Sequence, residues 1–317
     1  MPRAVVIGLG TISKVHLAAI DALPEVELVG AATHDYHKLL DEVRPDVAHV
    51  CTPHDTHADI VADCLDRGVN VLLEKPVADT VEAAERVIAA AARAPGLKVG
   101  VCLQNRYNAA VQAARKVITP GAAKRTPDAT AKAPNLSATA TLLWHRDSGY
   151  YASAPWRGQK KRAGGGVLIN QAIHTLDLLE WLLGDVTGVS GHVGHYGEVD
   201  AIDVEDTANA RLTHAGGGTS VLFATTTNAV DSPVTIEIVT GDATLLIRDG
   251  LTITHRDGRV EHVAERRAGP GSKSYWGASH ELLIADFYRT LHDPGPFWID
   301  PAEGTKSLRL IDQLYRR

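Results

Sequence analysis

Arg3-Ala4-Val5-Val6-Ile7 followed at once by Gly8-Leu9-Gly10-Thr11-Ile12-Ser13 decides the fold class. The first part is an apolar run of the kind a strand buried on both faces requires. The second is GxGxxS, a variant of the GxGxxG dinucleotide loop with Ser13 in place of the third glycine. Residues Ile12–Leu23 then carry helical spacing. In this strand–loop–helix setting Gly8 permits the tight turn and Gly10 the close approach of a pyrophosphate. The helix start, with Thr11 and Ile12, offers free N–H groups and the positive end of its dipole.

The pattern continues outward. Val26–Ala32, Pro45–Cys51, Val69–Leu73 and Leu97–Cys102 read as four more strands. His57–Arg67 and a segment from about Val81 to Pro95-Gly96 read as helices between them. Asp79 with Glu82 three residues on resembles a capping box at the start of the second. Strands alternating with helices predict a parallel, doubly wound sheet. The second strand runs almost directly into Asp35-Tyr36-His37-Lys38, so the third helix–strand unit of a full dinucleotide fold is read as missing or reduced. The acid that binds the adenine ribose belongs at the end of that second strand, where Thr33-His34-Asp35 stands. Asp35 either reaches the ribose hydroxyls or caps the next helix. No arginine follows closely to hold a 2′-phosphate, so NAD is favoured and NADP remains open.

After about residue 118 the pattern changes. Thr119–Asn135 is rich in Ala, Thr, Pro and Lys and reads as a loop. Strands are predicted at Leu136–His145, Val204–Thr213, Ser220–Thr227, Val234–Thr240, Ala243–Arg248, Leu251–Thr254 and Val260–Val263, with Asp249-Gly250 and Asp257-Gly258 as hairpin turns. Helices are predicted near Leu168–Leu183, Ser279–Leu291 and Ala302–Leu314, the last opened by Asp300-Pro301 with Glu303. The chain thus divides into a shortened Rossmann domain, 1–103, and an α+β domain, 104–317, with an open, mostly antiparallel sheet. The final helix is placed back on the first domain.

Composition narrows the function classes. The chain has 317 residues, 32 Lys+Arg against 38 Asp+Glu, and a net charge of −6. That charge argues against a nucleic-acid partner held by bulk electrostatics. Hydrophobic residues make up 44% and charged residues 22%, which is ordinary globular usage. No apolar run is long enough to span a membrane, and the opening segment reads as a buried strand rather than a leader. Cys51, Cys64 and Cys102 lack CxxC spacing, and no HExxH or HxH pair occurs, so no disulfide scaffold and no metal are expected. A cytoplasmic enzyme is the expectation.

Several motifs together resemble the Gfo/Idh/MocA oxidoreductases, the family of glucose-fructose oxidoreductase and inositol dehydrogenase. Glu74-Lys75-Pro76 resembles the family's EKP motif, and Gly8 to His16 its glycine loop. Thr52-Pro53 through His57 resembles TPxxxH, and Gly164 to Asp177 resembles GGGxLxDxGxHxxD. Tyr150-Tyr151, Trp156-Arg157-Gly158 and the final EGTKSLRLIDQLYRR are also similar, so the likeness covers nearly the whole chain. The resemblance implies a nicotinamide cofactor meeting a sugar or cyclitol between two domains, with Thr52, Pro53, His57, Glu74, Lys75 and Pro76 among its cofactor contacts. It implies Lys75 and His174 as catalytic residues, and a homodimer or homotetramer formed through the open sheet face. The acid expected four residues before the histidine is Asn170 here. An amide positions a neighbour but carries no proton, which shifts proton handling onto His174 and Lys75.

From the residues themselves, a near-neutral imidazole suits removal of a hydroxyl proton, and an ammonium suits stabilising the alkoxide. Asp177 shares a helical face with Asn170 and His174, and a structural role for it is preferred. His16 and His57 read as local hydrogen-bonding residues. Arg106, Tyr107, Trp144, Arg146, Tyr151, Trp156, Arg157 and Gln171 are candidate substrate contacts, since aromatic faces with flanking donors suit a sugar ring. The glycines 164–166 suit close backbone approach to a ligand, or a hinge. The leading expectation is an NAD(P)-dependent sugar or polyol dehydrogenase. The alternatives are a glycoside-cleaving enzyme using transient oxidation, or a non-catalytic nucleotide sensor.

Overall fold

The structure is a computed structural model and describes residues 1–119, 136–200, 202–266 and 279–316. Among the described residues the strands form two sheets. The first is parallel, in the order β2-β1-β3-β4-β5, from β1 (Arg3–Ile7), β2 (Glu27–Ala32), β3 (Val47–Val50), β4 (Asn70–Leu73) and β5 (Val99–Val101). Ala4 to Ile7, Val71 to Leu73 and most of β3 and β5 are sealed from solvent, as their unbroken apolar runs require. Helices α1 (Ser13–Asp21), α2 (Tyr36–Val43), α3 (His57–Asp66) and α4 (Val81–Arg93) follow β1 to β4 in turn.

The sheet ends at β2, with α2 beginning four residues after it and β3 returning beside β1. Strand β2 is correspondingly the most exposed of the five. The opposite edge is covered. The backbone of Ile299 accepts from Val101 N of β5 at 2.9 Å, and Phe297 and Ile299 are buried there. Helix α4 is capped by Thr80, whose side chain accepts from Ala83 N at 3.1 Å, and not by Asp79. Thr80 has the extended backbone an N-cap requires, one residue beyond the predicted position.

A 3₁₀ turn (Gln104–Tyr107) leads into α5 (Ala109–Ile118). The segment read as a loop, Thr119–Asn135, lies outside the described residues apart from Thr119. The second sheet has the order β13-β12-β11-β10-β6-β9-β8-β7. Its strands are β6 (Ser137–Leu143), β7 (Val186–Gly194), β8 (Thr207–His214), β9 (Thr219–Thr225), β10 (Thr235–Val239), β11 (Ala243–Ile247), β12 (Gly250–His255) and β13 (Val260–Ala264). All pairings are antiparallel except β6 with β9. Burial alternates along β8 and β10, and along β9 up to its last residue, so one face builds the core and the other is open. Asp249 and Gly250 both take positive φ at the β11–β12 turn, as a tight hairpin demands. Strand β7 has no counterpart in the sequence prediction.

Short helices α6 (Ser148–Ala152) and α7 (Lys160–Ala163) follow β6. A π-turn (Leu168–Ala172) then runs into α8 (Ile173–Leu183), which is buried on nearly every side, Thr175, Asp177 and Glu180 included. Helix α9 (Ser279–Arg289) packs on α1, and α10 (Pro301–Tyr315) packs on α4, α8 and β5. Asp300 Oδ1 accepts from Glu303 N at 2.8 Å, with Pro301 at the first helical position. Asp300→Ala is expected to cost about 1 kcal/mol, read from the shift in the urea unfolding midpoint. No helix among the described residues is long and apolar enough to cross a membrane.

Candidate active site

The glycine loop closes the carboxyl end of β1. Gly8 has φ +94° and donates to Ala32 O at 2.7 Å, locking the turn to the end of β2. A Cβ on Gly8 would lie 2.7 Å from the Cys51 carbonyl group and 2.8 Å from Thr52, so the residue must be glycine on two counts. Gly10 has open space where its Cβ would stand. The small Ser13 is buried, and its hydroxyl donates to Gly10 O at 2.7 Å, which braces the loop. Helix α1 has no acidic residue in its first turn and no side-chain cap, so its N–H groups stay free for an anion. Thr11 is exposed and Ile12 half-buried beside them. These features fit a dinucleotide pyrophosphate.

Thr33, His34 and Asp35 are exposed at the end of β2. Asp35 stands at the N-cap position of α2, but its φ is +45° and its side chain makes no capping bond. Its carboxylate is therefore not spent on the helix. Thr52 and Pro53 follow β3, and Thr52 Oγ1 accepts from Thr56 at 2.7 Å. His57 is fully buried, its ring bonded to Pro76 O and Thr52 O at 2.9 Å each. It holds the β3 and β4 loops together and has no ring nitrogen left for a cofactor.

Glu74 also turns inward. Its Oε1 accepts from His16 Nε2 at 3.0 Å and from His280 Nε2 at 3.1 Å, both buried. His16 Nδ1 meets His49 Nδ1 at 2.8 Å, and His49 Nε2 meets the Tyr288 hydroxyl at 2.7 Å. Burial disfavours charge on His16, but bonds to Cys51 and Glu74 outweigh it and raise its pKa. Burial likewise opposes ionisation of Glu74, yet bonds from His16 and His280 hold it well below the usual carboxylate range. His49, buried next to that cation, is held well below the usual imidazole value. A buried ion pair thus underlies the Glu74–Lys75 turn. Sequence reading gave Glu74 to the cofactor and missed His280, His49 and Tyr288, which come from β3 and α9.

Lys75 points the other way, toward the second domain, where its Nζ donates to Asn170 O at 2.6 Å. Burial pushes the amine down to about 8, against the pull of Glu74 and with a further push from Arg157. Asn170 lies in the π-turn, one turn before His174, and its own amide donates to Gly165 O at 3.1 Å. Burial, reinforced by Lys75, keeps His174 well below the usual imidazole value, so the ring is neutral. Among the described residues its Nδ1 is buried without a partner, and its Nε2 lies 3.5 Å from the Gln104 amide, whose Oε1 is also unpartnered there. The chain thus brings together a lysine, a neutral histidine and two amides with spare polar atoms. Gln104 was missed. Its position directly after β5, where ligands of a parallel sheet gather, is the signal that could have found it.

On the lip, Trp156 meets His54 edge-on at 4.7 Å, and His54 bonds Ala163 O at 2.8 Å. The Arg157 guanidinium lies 4.6 Å from the Tyr150 ring centre. The Tyr150 hydroxyl accepts from Gln171 Nε2 at 3.0 Å, which ties this cluster to the π-turn. Tyr151 is buried below it.

Four predicted substrate contacts are engaged elsewhere. Arg106 is 2% exposed and forms two bonds to Asp177, at 2.9 and 2.6 Å, plus an ion pair with Glu303 at 2.9 Å. Each of its three nitrogens already faces a carboxylate, and Asp177 serves Arg106 rather than His174. Tyr107 donates to Asp286 and accepts from Trp298 Nε1. Trp144 is buried with Nε1 on Ser232 O, and Arg146 pairs with Asp231 at 2.9 Å. The glycine block also differs from expectation, because its close approaches are to the chain itself. A Cβ on Gly164, Gly165 or Gly166 would overlap the Asp79 carbonyl, the Tyr315 hydroxyl or the Glu205 carbonyl respectively. Glu205 fixes the block with bonds from Gly166 N at 2.7 Å, Leu168 N at 3.0 Å and the Tyr315 hydroxyl at 2.7 Å.

Comparison with known proteins places this arrangement. Residues 29–101 match the model described as the oxidoreductase family, NAD-binding Rossmann fold. Residues 136–246 match the GFO/IDH/MocA C-terminal domain. Levoglucosan dehydrogenase of Pseudarthrobacter phenanthrenivorans is 28% identical over 159 residues, 50% of this chain and 38% of that protein. D-glucoside 3-dehydrogenase of Escherichia coli is 28% identical over 212 residues, 60% of this chain and 57% of that protein. The matches therefore span about two fifths to three fifths of these relatives' length. Among solved structures, levoglucosan dehydrogenase with NADH and L-sorbose superposes with TM-score 0.83 at 20% identity, covering 99% of this chain and 96% of that one. The WlbA dehydrogenase of Bordetella pertussis with NADH and UDP-GlcNAcA gives 0.80 at 26% identity, covering 99% and 95%.

Proposed function

Because this chain belongs to the GFO/IDH/MocA family of oxidoreductases, we propose that it is an NAD-dependent dehydrogenase acting on a secondary alcohol or ketone of a sugar, sugar derivative or cyclitol. The observation that carries this reading is the meeting of Lys75 and His174, about a hundred residues apart, through the Lys75 bond to the Asn170 carbonyl. Relatives that are levoglucosan, inositol and D-glucoside dehydrogenases support the substrate class.

Gly8, Gly10, Thr11, Ile12 and the start of α1 would hold the pyrophosphate, with Thr33, His34 or Asp35 at the adenine ribose. The free Asp35 carboxylate favours NAD over NADP, since it would repel a 2′-phosphate. A bound nicotinamide ring supplies the hydride acceptor. The chain's own groups manage the proton. His174, neutral over the working range, takes the hydroxyl proton through a ring nitrogen. The Lys75 ammonium stabilises the developing alkoxide in a site where burial strengthens the interaction. Asn170 orients the ammonium through its backbone carbonyl, and its side-chain amide is anchored on Gly165 O.

This division of labour has a pH signature. The Lys75 ammonium is lost as pH rises through about 8, so kcat/KM is expected to fall through that value. His174 remains an available base down to well below pH 6.5, so the acidic limb lies below that point. A pH–rate profile with a polyol panel and NAD⁺ measures both limbs. A profile flat from pH 7 to pH 9 would remove Lys75 from the charged role. No turnover with any polyol, sugar or ketose in either direction would overturn the dehydrogenase reading itself.

The open face of the second sheet carries Val221, Phe223 and Val239, each more than two-fifths exposed. A second copy of the chain over this face, in a dimer or tetramer, would bury them. Three cysteines, all free and buried, suit a cytoplasmic, reducing compartment.

A further inference from the structure

Charge in the cleft is one-sided. Among the described residues Lys75 Nζ bonds only a backbone carbonyl. Arg157, half-buried, reaches only Tyr150 O and Ser153 Oγ, both at 3.5 Å, and forms no ion pair among the described residues. The acids nearby are spoken for. Glu74 serves His16 and His280, Asp55 pairs with Arg162 at 3.0 Å, and Glu205 holds the glycine block. Asn170, whose backbone carbonyl holds Lys75, carries a neutral amide.

Arg157 faces the same cleft by a short chain of contacts. Its guanidinium stacks on Tyr150, Tyr150 bonds Gln171, and Gln171 adjoins Asn170, which holds Lys75. Its charge is near enough to push the Lys75 amine down. Two cations drawn out of water without a counter-ion repel each other, and the fixed planar fork of an arginine matches the two oxygens of a carboxylate or phosphate. Stacking on Tyr150 sets the plane of that fork.

We propose that the substrate carries an anionic group, a carboxylate or a phosphate, and that Arg157 is the specificity-determining residue that binds it. The proposal rests on the sugar-binding reading of this cleft but not on turnover. A sugar acid or a sugar phosphate would supply the missing charge across from Lys75, with its alcohol carbon left at the His174 end. Lys160 and Lys161, exposed on the same lip, would draw such a substrate in.

The test is calorimetric binding to the NAD-loaded protein of matched sets: a neutral aldose, its uronate and its 6-phosphate, over several parent sugars. The expected result is an anionic member binding at least about tenfold more tightly than its neutral parent, with affinity that falls on adding salt. Whether the uronate or the phosphate leads identifies the group. Arg157→Gln is expected to bring the ratio close to one, and Arg157→Lys to retain part of it, since charge survives and the fork does not. Equal affinity for neutral and anionic members, no binding of any anionic member, or unchanged selectivity in Arg157→Gln overturns the proposal. Turnover is followed on the same samples. Selective, Arg157-dependent binding without hydride transfer would bring down the dehydrogenase reading and leave the Arg157 assignment standing.

Discussion

Lys75→Ala is expected to lower kcat by about 10³-fold, the scale of removing a transition-state charge stabiliser from a dry site, while NAD affinity changes far less. The two effects separate because the ammonium points to the second domain and the Asn170 carbonyl, whereas the proposed pyrophosphate site is the glycine loop and the start of α1. Lys75→Met keeps the length and apolar stem, so it isolates the charge from the packing. Steady-state rates with NAD⁺ and a turned-over substrate, paired with fluorescence titration of NADH, read both quantities. An alanine variant within tenfold of the parent rate would remove Lys75 from the chemistry. A variant that no longer binds NADH would make it a cofactor anchor instead.

Asp177→Ala is expected to reduce stability by about 3 kcal/mol, because removing one partner of a buried pair strands the other charge. Arg106 is almost sealed, flanked by Trp181 and Trp298 at 5.5 and 5.7 Å, and its remaining partner would be Glu303. Burial pushes the Asp177 carboxyl up while Arg106 pulls it down, so the pair lasts only as a pair. Urea unfolding measures the loss. The double replacement Arg106→Met with Asp177→Leu should recover most of it, since an apolar pair of similar volume fits a buried site as well. A loss under about 1 kcal/mol for Asp177→Ala would mean that water or Glu303 compensates.

The parallel sheet was legible because its evidence is local. Runs such as Ala4–Ile7 and Val69–Leu73 carry their burial in their own composition, and the glycine loop follows directly. The antiparallel strands were found where alternation is strict, as along β8 and β10. Strand β7 was missed because Gly188, Gly191 and Gly194 break its apolar pattern and it lies at a sheet edge. The site divides the same way. Lys75, Asn170 and His174 announce themselves in short motifs. The His16–Glu74–His280 cluster and its extension to His49 and Tyr288 do not, because their partners lie up to 239 residues apart. Arg106 was misassigned because an arginine after a strand reads alike whether it faces a ligand or a buried aspartate.

The threefold glycine contact with Asp79, Tyr315 and Glu205 bears on how mutational data for this protein should be read. A saturation screen scored by activity will rank Gly164, Gly165 and Gly166 with Lys75 and His174, since no side chain fits and the π-turn that carries Asn170 begins two residues later. Scored instead by protein abundance, the two groups part company. Losses at the glycines will follow the folded fraction, and losses at Lys75 will not. This crowded glycine stretch is thus a joint that fixes the position of the groups proposed for the chemistry, and intolerance alone would mistake it for chemistry.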